Sequence, residues 1–162
     1  MQTLLPRAAE LATLLKARRQ TVAVAESSTG GLIAAALLAQ PGASAYFLGG
    51  AAVYTREARG ALLGIGDDTM RGLRSSSEPY AQLLAATVRE RHGAIWGLAE
   101  TGAAGPTGNR YGDAAGHSCI AVAGPVASAM TLETGGNDRQ VNMRAFSLEA
   151  LDRLIEAVKQ AA

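Results

Sequence analysis

The segment Ala25-Glu26-Ser27-Ser28-Thr29-Gly30-Gly31 joins two apolar runs of different character. Before it, Thr21–Ala25 alternates valine with alanine and predicts a short buried strand. After it, Leu32–Ala39 consists of leucine, isoleucine and alanine and predicts a helix. A strand that passes directly into a helix is the basic unit of an α/β fold, so this segment places the chain in that class.

The hydroxyls and glycines of this turn favour a ligand site. The N–H groups of a helix's first turn have no partners within the helix and lie at the positive end of its dipole. Gly30 and Gly31 allow a ligand to approach the main chain closely. Ser27, Ser28 and Thr29 add hydroxyls, one of which is a candidate nucleophile. The same residues also fit a plain helix N-cap with tight helix packing, and the turn alone does not separate the two interpretations.

Composition limits the classes of function. With 162 residues, of which 48% are hydrophobic and 18% charged, the chain suits one globular domain over residues 1–162. A net charge of +1 and an aromatic content of 4% argue against a nucleic-acid partner. The longest apolar stretch is far short of the roughly 20 residues of a membrane span, and no secretion signal is evident, so we expect a cytoplasmic protein with no membrane partner. One cysteine and two histidines predict no metal site.

Strand-like and helical segments alternate along the rest of the chain, which ends with a hairpin and a long helix. Further strands are predicted at 51–54, 94–99, 119–123 and 128–132. Further helices are predicted near the start of the chain, at 56–63, after Ser77-Glu78-Pro79 and at 139–159. This order predicts a layered α/β domain with a mixed sheet.

A glycine-rich loop, residues 100–116, follows the third predicted strand. Loops of this length inside a compact domain are more often functional than not. Ligands of open α/β sheets bind beyond the carboxyl ends of the strands. We therefore expect this loop and the turn at 27–31 to meet and form a pocket for a phosphorylated or carboxylated small molecule.

Seven motifs along the chain occur in the order found in a known family. They are Ala-Glu-Ser-Ser-Thr-Gly-Gly (25–31), Pro41-Gly42-Ala43-Ser44, Val53-Tyr54-Thr55 with Glu57-Ala58, Leu63-Gly64-Ile65, Ser77-Glu78-Pro79, Thr101-Gly102-Ala103-Ala104-Gly105-Pro106-Thr107-Gly108 and Asn137-Asp138-Arg139. Together they resemble the CinA C-terminal domain family, which includes the stand-alone nicotinamide-nucleotide amidases. The resemblance covers nearly the whole chain and implies a single-domain, three-layer α/β/α sandwich with a mixed sheet.

The resemblance also implies an activity. The implied enzyme is an amidohydrolase that converts nicotinamide mononucleotide to nicotinic acid mononucleotide and ammonia, with no cofactor or metal, and it is a homo-oligomer. Ser27 is its nucleophile and Tyr54 a second catalytic residue. The residues expected to bind the nucleotide are Glu26, Thr29, Gly30, Gly31, Thr101, Gly102, Gly105, Gly108, Arg139 and Arg144. Arg139 and Arg144 suit a 5′-phosphate, and N–H groups of 29–31 or 102–105 suit an oxyanion hole.

Arg59 is the main departure from the family pattern, and we keep it among the catalytic candidates. The family has a lysine there, which is thought to be the general base for the serine. A guanidinium stays protonated near neutrality and so does not accept a proton, but it can hold a negative charge or polarise an oxygen. The remaining candidate bases are Tyr54, Glu26, Glu57 and His117. Two functions stay open: an amidase, or a protein that binds a nucleotide or another anion without hydrolysing it.

Overall fold

Residues 1–161, which the computed structural model describes, form a five-stranded sheet between two layers of helices. The helices are α1 (Leu5–Arg18), α2 (Leu32–Leu38), α3 (Arg56–Leu63), α4 (Glu78–His92) and α5 (Arg139–Gln160), with a short 3-10 turn at Ala43–Ala45. The strands are β1 (Val22–Glu26), β2 (Phe47–Ala52), β3 (Trp96–Ala103), β4 (His117–Ala123) and β5 (Ser128–Glu133). The predicted three-layer α/β/α sandwich with a mixed sheet is confirmed.

The strand order brings the functional segments to one edge of the sheet. The order is β2-β1-β3-β4-β5; β1 runs parallel to both β2 and β3, whereas β3, β4 and β5 are antiparallel neighbours. The carboxyl ends of β1, β2 and β3 therefore lie together. As a result, the residues that follow these strands meet there, among them Ser27, Tyr54 and the loop after Ala103.

The two faces of the central strands differ in side-chain size. Val22 and Val24 belong to the core formed with α1, α2 and α5, whereas Ala23 and Ala25 belong to the core formed with α3 and α4. The small residues are needed because α4 lies close to the sheet. A Cβ at Gly97 of β3 would lie 2.0 Å from the Ala85 carbonyl oxygen of α4.

We expect Gly97→Ala to lower the free energy of unfolding by roughly 3 kcal/mol, since the colliding atom is backbone and cannot rotate away. Urea denaturation followed by circular dichroism measures the change. Gly60→Ala is the matched control: beyond its chain neighbours and the backbone of its own helix, a methyl group at this exposed glycine of α3 would meet no atom within 4 Å. Its replacement is expected to add about 0.5–1 kcal/mol through helix propensity. Equal stability of the two variants would contradict the close packing of α4 on β3.

Three strands differ from the sequence prediction by two residues or more, and the change in β4 is that it begins at His117 rather than at 119. β2 occupies Phe47–Ala52 rather than 51–54. Gly49 and Gly50 are unfavourable in an isolated strand, which obscures this strand in the sequence. In the fold they lie where α2 and the last residue of α4 approach the sheet. β3 continues to Ala103, so the glycine-rich loop is shorter than predicted and begins after that residue. Within the described chain, every helix falls short of the length and apolar character needed for a membrane span.

Candidate functional site

A cleft of about 460 Å³ lies at the carboxyl edge of the parallel strands. Its wall includes Ser27, Tyr54, Arg59, Ser76, Thr101 and Tyr111. A second cavity of about 270 Å³ shares Tyr54 and Gly102 with the first and is lined by the loop after β3 and by Arg139. The predicted meeting of the turn after β1 with the glycine-rich loop is thus present in the structure.

The three hydroxyls of the turn have different surroundings. Ser28 and Thr29 are buried and donate their hydroxyls to the carboxylate of Glu100, the Thr29 bond being 2.9 Å long. Ser27 is only partly buried and lines the cleft. Within residues 1–161, its hydroxyl makes no hydrogen bond to another group of the protein, whereas its backbone N–H donates to Glu100. Ser27 is therefore the hydroxyl left available to a ligand.

Glu100 organises this turn and was not identified from the sequence. Its carboxylate is fully buried and accepts hydrogen bonds from the Ser27 N–H at 3.2 Å, the Thr29 N–H at 2.9 Å and the Ser118 hydroxyl at 3.1 Å, besides the two hydroxyls of the turn. The available signal was a carboxylate directly after the apolar run 94–99, which was instead interpreted as the start of a loop. Its position within β3 fixes the turn to the sheet.

Glu26 and Thr29 occupy supporting positions beneath the cleft. The Glu26 carboxylate accepts the N–H groups of Ile33 at 2.8 Å and Ala34 at 3.1 Å, so it caps the start of α2. Burial raises the pKa of Glu26, against the opposing effect of these N–H donors. Because the polar groups of both residues are already hydrogen bonded inside the fold, the geometry favours a structural role over the predicted contact with substrate.

The backbone donors of the turn are also largely used. The Thr29 N–H points to Glu100, and the Gly30 N–H donates to the Ser27 carbonyl at 3.2 Å. Gly30 and Gly31 adopt positive φ angles of 64° and 100°, which a residue with a side chain rarely adopts. The expected oxyanion hole at 29–31 thus loses two donors, which leaves the other predicted source, residues 102–105 at the end of β3 and the start of the loop.

Arg59 lies in the cleft wall with little exposed surface. Its Nε donates to the Ile65 carbonyl at 3.2 Å, and its Nη2 lies 3.4 Å from Asp67 Oδ1. The exposed Arg56 side chain also pairs with Asp67. One wall of the cleft therefore carries two guanidinium groups and one carboxylate, which favours an anionic or carbonyl-bearing ligand.

Tyr54 and Arg139 form the boundary between the two cavities. Arg139 Nη2 donates to the Tyr54 hydroxyl at 3.1 Å, and Nη1 donates to the Gly105 carbonyl at 2.6 Å. Gly105 and Gly108 line the second cavity. A Cβ at either position would lie less than 3 Å from a backbone oxygen, so the loop requires glycine there. Arg144, which was predicted to accompany Arg139, is not among the residues that line either cavity.

The structure separates the four candidate bases. Tyr54 lines both cavities, and its side chain is exposed. Glu26 caps α2, and Glu57 lies beside a shallow depression next to α3 rather than in the cleft. His117 is buried, with each ring nitrogen beside an acceptor. Of these four, Tyr54 is the residue that lines the cavities.

The loop Asn109–Asp113 supplies further residues to the cleft. Arg110 and Tyr111 line the cleft, and the Tyr111 ring lies 5.1 Å from the Arg110 guanidinium and 5.4 Å from that of Arg74. Asp113 holds this loop through paired bonds to Arg74, at 2.6 and 3.1 Å. These residues add cationic and aromatic surface at the cleft mouth.

Comparison with known proteins identifies relatives of this chain. A CinA-like protein of Desulfosudis oleivorans is 40% identical over 148 residues, which is 90% of this chain and 36% of that protein. A CinA-like protein of Synechocystis is 39% identical over 150 residues, covering 91% of this chain and 36% of that protein. The chain thus spans about a third of the length of these curated relatives.

Solved structures agree over nearly the full chain. A Competence-Damaged Protein (CinA) superfamily protein from Klebsiella pneumoniae has a TM-score of 0.90 at 26% identity, covering 97% of this chain and 98% of that one. A competence/damage inducible protein from Agrobacterium tumefaciens has a TM-score of 0.88 at 29% identity, covering 95% and 94%. The family model for the CinA C-terminal domain matches residues 5–158. The chain belongs to the CinA C-terminal domain family.

Proposed function

We propose that this protein hydrolyses the carboxamide of nicotinamide mononucleotide, with Ser27 as the nucleophile. The observation that carries the proposal is the difference between neighbouring hydroxyls: Ser28 and Thr29 are bound to Glu100, whereas Ser27 faces the cleft. The Ser27 hydroxyl follows the end of β1 and has no hydrogen bond within the described chain that must break before it reacts. It therefore suits nucleophilic attack.

The surrounding groups supply the other requirements of amide hydrolysis. Attack of Ser27 Oγ on the carboxamide carbon gives a tetrahedral oxyanion, which collapses with loss of ammonia to an ester that water then cleaves. Tyr54 is the candidate for exchanging the proton, and the positive charge of Arg59 favours the oxyanion. Arg139 and the Gly105–Gly108 loop, in the adjoining cavity, suit the 5′-phosphate. Assembly of such subunits as a homo-oligomer in the cytoplasm remains part of the proposal.

Incubation of the purified protein with nicotinamide mononucleotide tests this function. We expect ammonia and nicotinic acid mononucleotide to form in equal amounts. Chromatography of the nucleotides and an enzymatic ammonia assay measure the two products. Intact nucleotide after long incubation with a stoichiometric excess of protein would overturn the proposal.

The presence of arginine at position 59, where the family pattern has lysine, favours a second candidate function. In it, the protein binds the nucleotide or another anion without hydrolysing it. A guanidinium engaged with Ile65 and Asp67 cannot act as the base. Saturable binding of intact nicotinamide mononucleotide, lost in Arg139→Ala, is the result expected for this candidate.

Arg59→Lys separates the two candidates. A lysine amine can release and accept a proton, so we expect the variant to hydrolyse nicotinamide mononucleotide about 100-fold faster than the parent protein, the usual contribution of a positioned base. Initial rates of ammonia release measure the change. Arg59→Gln, which removes the charge without adding a base, is the matched control and should not accelerate the reaction. Equal rates for Arg59→Lys and Arg59→Gln would show that a lysine at position 59 does not supply the base.

A further inference from the structure

The side chain of His117 connects the sheet to the wall of the cleft. This residue is the first of β4, and its ring is buried. Nδ1 lies 2.5 Å from Glu133 Oε1, at the end of β5, and Nε2 lies 2.9 Å from the carbonyl oxygen of Ser76. Both partners accept hydrogen bonds and neither donates one. Both contacts are satisfied together only when both ring nitrogens carry a proton, which is the imidazolium form.

Ser76 is held in an unusual conformation by the strands beneath it. Its φ angle is 55°, in the left-handed region that a residue with a side chain seldom occupies. The Ser76 N–H donates to Thr101 Oγ1 at 3.3 Å, and its carbonyl accepts from His117. Ser75, Ser76 and Thr101 all line the cleft that contains Ser27. Arg74 Nη1 donates to the same carbonyl at 3.3 Å, so His117 and Arg74 together hold this wall, and His117 does so without lining the cleft.

We propose that His117, as an imidazolium bridging Glu133 and the Ser76 carbonyl, is a positioning residue that holds the Ser75–Ser76 wall in its ligand-binding conformation. The proposal concerns the site to which the nucleotide amidase activity is assigned above and rests on that assignment only for its ligand. The consequence is one of binding: nicotinamide mononucleotide should bind well while His117 is charged and less well once the imidazole is neutral.

The charges around His117 favour the cationic form. Facing it are Glu133 from β5, Asp113 from the preceding loop, whose Oδ2 lies 3.7 Å from Nε2, and the thiol of Cys119 on its own strand at 3.6 Å. Arg74 is bound to Asp113 and opposes their effect. Burial lowers the pKa of His117, but the bonds to Glu133 and Ser76 and the charge of Asp113 outweigh burial, so the pKa of His117 is raised.

The direction of the pH effect follows from that raised pKa. A histidine whose pKa is higher in the folded state stabilises the fold fully below its unfolded pKa of about 6.5. That contribution is lost as the pH rises through the folded-state pKa. The cleft wall should loosen over the same range, because a neutral imidazole can donate to Glu133 or to Ser76 but not to both.

Nitrogen-15 spectra of the two imidazoles test the protonation state without any ligand. The other histidine, His92, is removed by His92→Gln, which leaves the His117 signals alone in the spectrum. We expect both nitrogens of His117 to carry protons at pH 6.5. The Ser76 and Thr101 amide signals should shift with the same midpoint as the imidazole when the pH is raised. A bare ring nitrogen at pH 6.5, or a Ser76 amide that does not follow the imidazole, would overturn the proposal.

Kinetics with nicotinamide mononucleotide test the effect on the cleft. We expect the parent KM to rise about tenfold above the His117 midpoint, the scale of one lost hydrogen bond, with kcat little changed. His117→Gln keeps an N–H donor but does not titrate, so its KM should be independent of pH in this range, whereas His92→Gln should behave as the parent. The same pH profile in His117→Gln and the parent would contradict the proposal. Failure of the amidase assignment would appear instead as no turnover in any variant, with the imidazole spectra still deciding the role of His117.

Discussion

Ser27→Ala should reduce kcat for nicotinamide mononucleotide hydrolysis by about 10⁶-fold, the scale seen when the nucleophilic serine is removed from a serine protease. The reason is chemical: without Oγ no acyl-enzyme forms, and only direct attack by water remains. The fold should be unaffected, because the Ser27 hydroxyl makes no bond to the rest of the described chain and its backbone N–H, which Glu100 holds, is retained. Ammonia release under saturating nucleotide measures kcat, and urea denaturation measures stability.

The neighbouring serine provides a matched control. Ser28 Oγ donates to the buried Glu100 carboxylate, so Ser28→Ala removes a hydrogen bond to a charged group and should cost about 1.5–3 kcal/mol of stability. Its effect on kcat should be far smaller than that of Ser27→Ala. The two variants therefore separate catalysis from support of the turn. A Ser27→Ala protein that retains a tenth of the parent kcat would refute the nucleophile assignment, and reversed effects would assign the reacting hydroxyl to Ser28.

The sequence predicted the fold well because its signals are local. Val22 and Val24 alternate with alanines in β1, and Thr55 and Ser77 stand directly before α3 and α4, where their side chains cap the helices. The strand β2 was misplaced for the opposite reason. Its glycines are disfavoured in a strand considered alone, but they lie where His92, at the end of α4, and Ala34 of α2 pack closely on the sheet.

The sequence predicted which segments form the candidate site but not which side chains are hydrogen bonded to one another. Motif order placed Ser27, Tyr54 and the glycine-rich loop at one edge of the sheet, where the structure also has them. Which hydroxyl is free depends on hydrogen bonds to Glu100, about 70 residues away in the chain. The local sequence around the serines does not reveal a pairing over such a separation. The position of Arg59 against Ile65 and Asp67 is likewise a property of the folded chain.

Glu100→Ala is expected to lower the free energy of unfolding by at least about 3 kcal/mol, since each buried donor left without a partner costs about 1–3 kcal/mol. The substitution leaves the Thr29 N–H and the hydroxyls of Ser28, Thr29 and Ser118 without their acceptor. With a typical domain stability of about 5–15 kcal/mol, the protein should still fold at low temperature but unfold at a much lower urea concentration. Glu90→Ala, on the exposed face of α4, should stay within about 0.5 kcal/mol of the parent.

Glu100→Gln distinguishes loss of the acceptor from loss of the charge. The two N–H donors, from Ser27 and Thr29, both point to Oε2, whereas Oε1 receives only the hydroxyls of Ser28 and Ser118. A glutamine with its oxygen at the Oε2 position satisfies both N–H groups, and its NH₂ donates to hydroxyls that can rotate to accept. We therefore expect Glu100→Gln to recover most of the stability lost in Glu100→Ala and to retain catalysis, because the turn that presents Ser27 keeps its shape. If the glutamine variant were as unstable as the alanine variant, the carboxylate's charge rather than its accepting geometry would hold the turn.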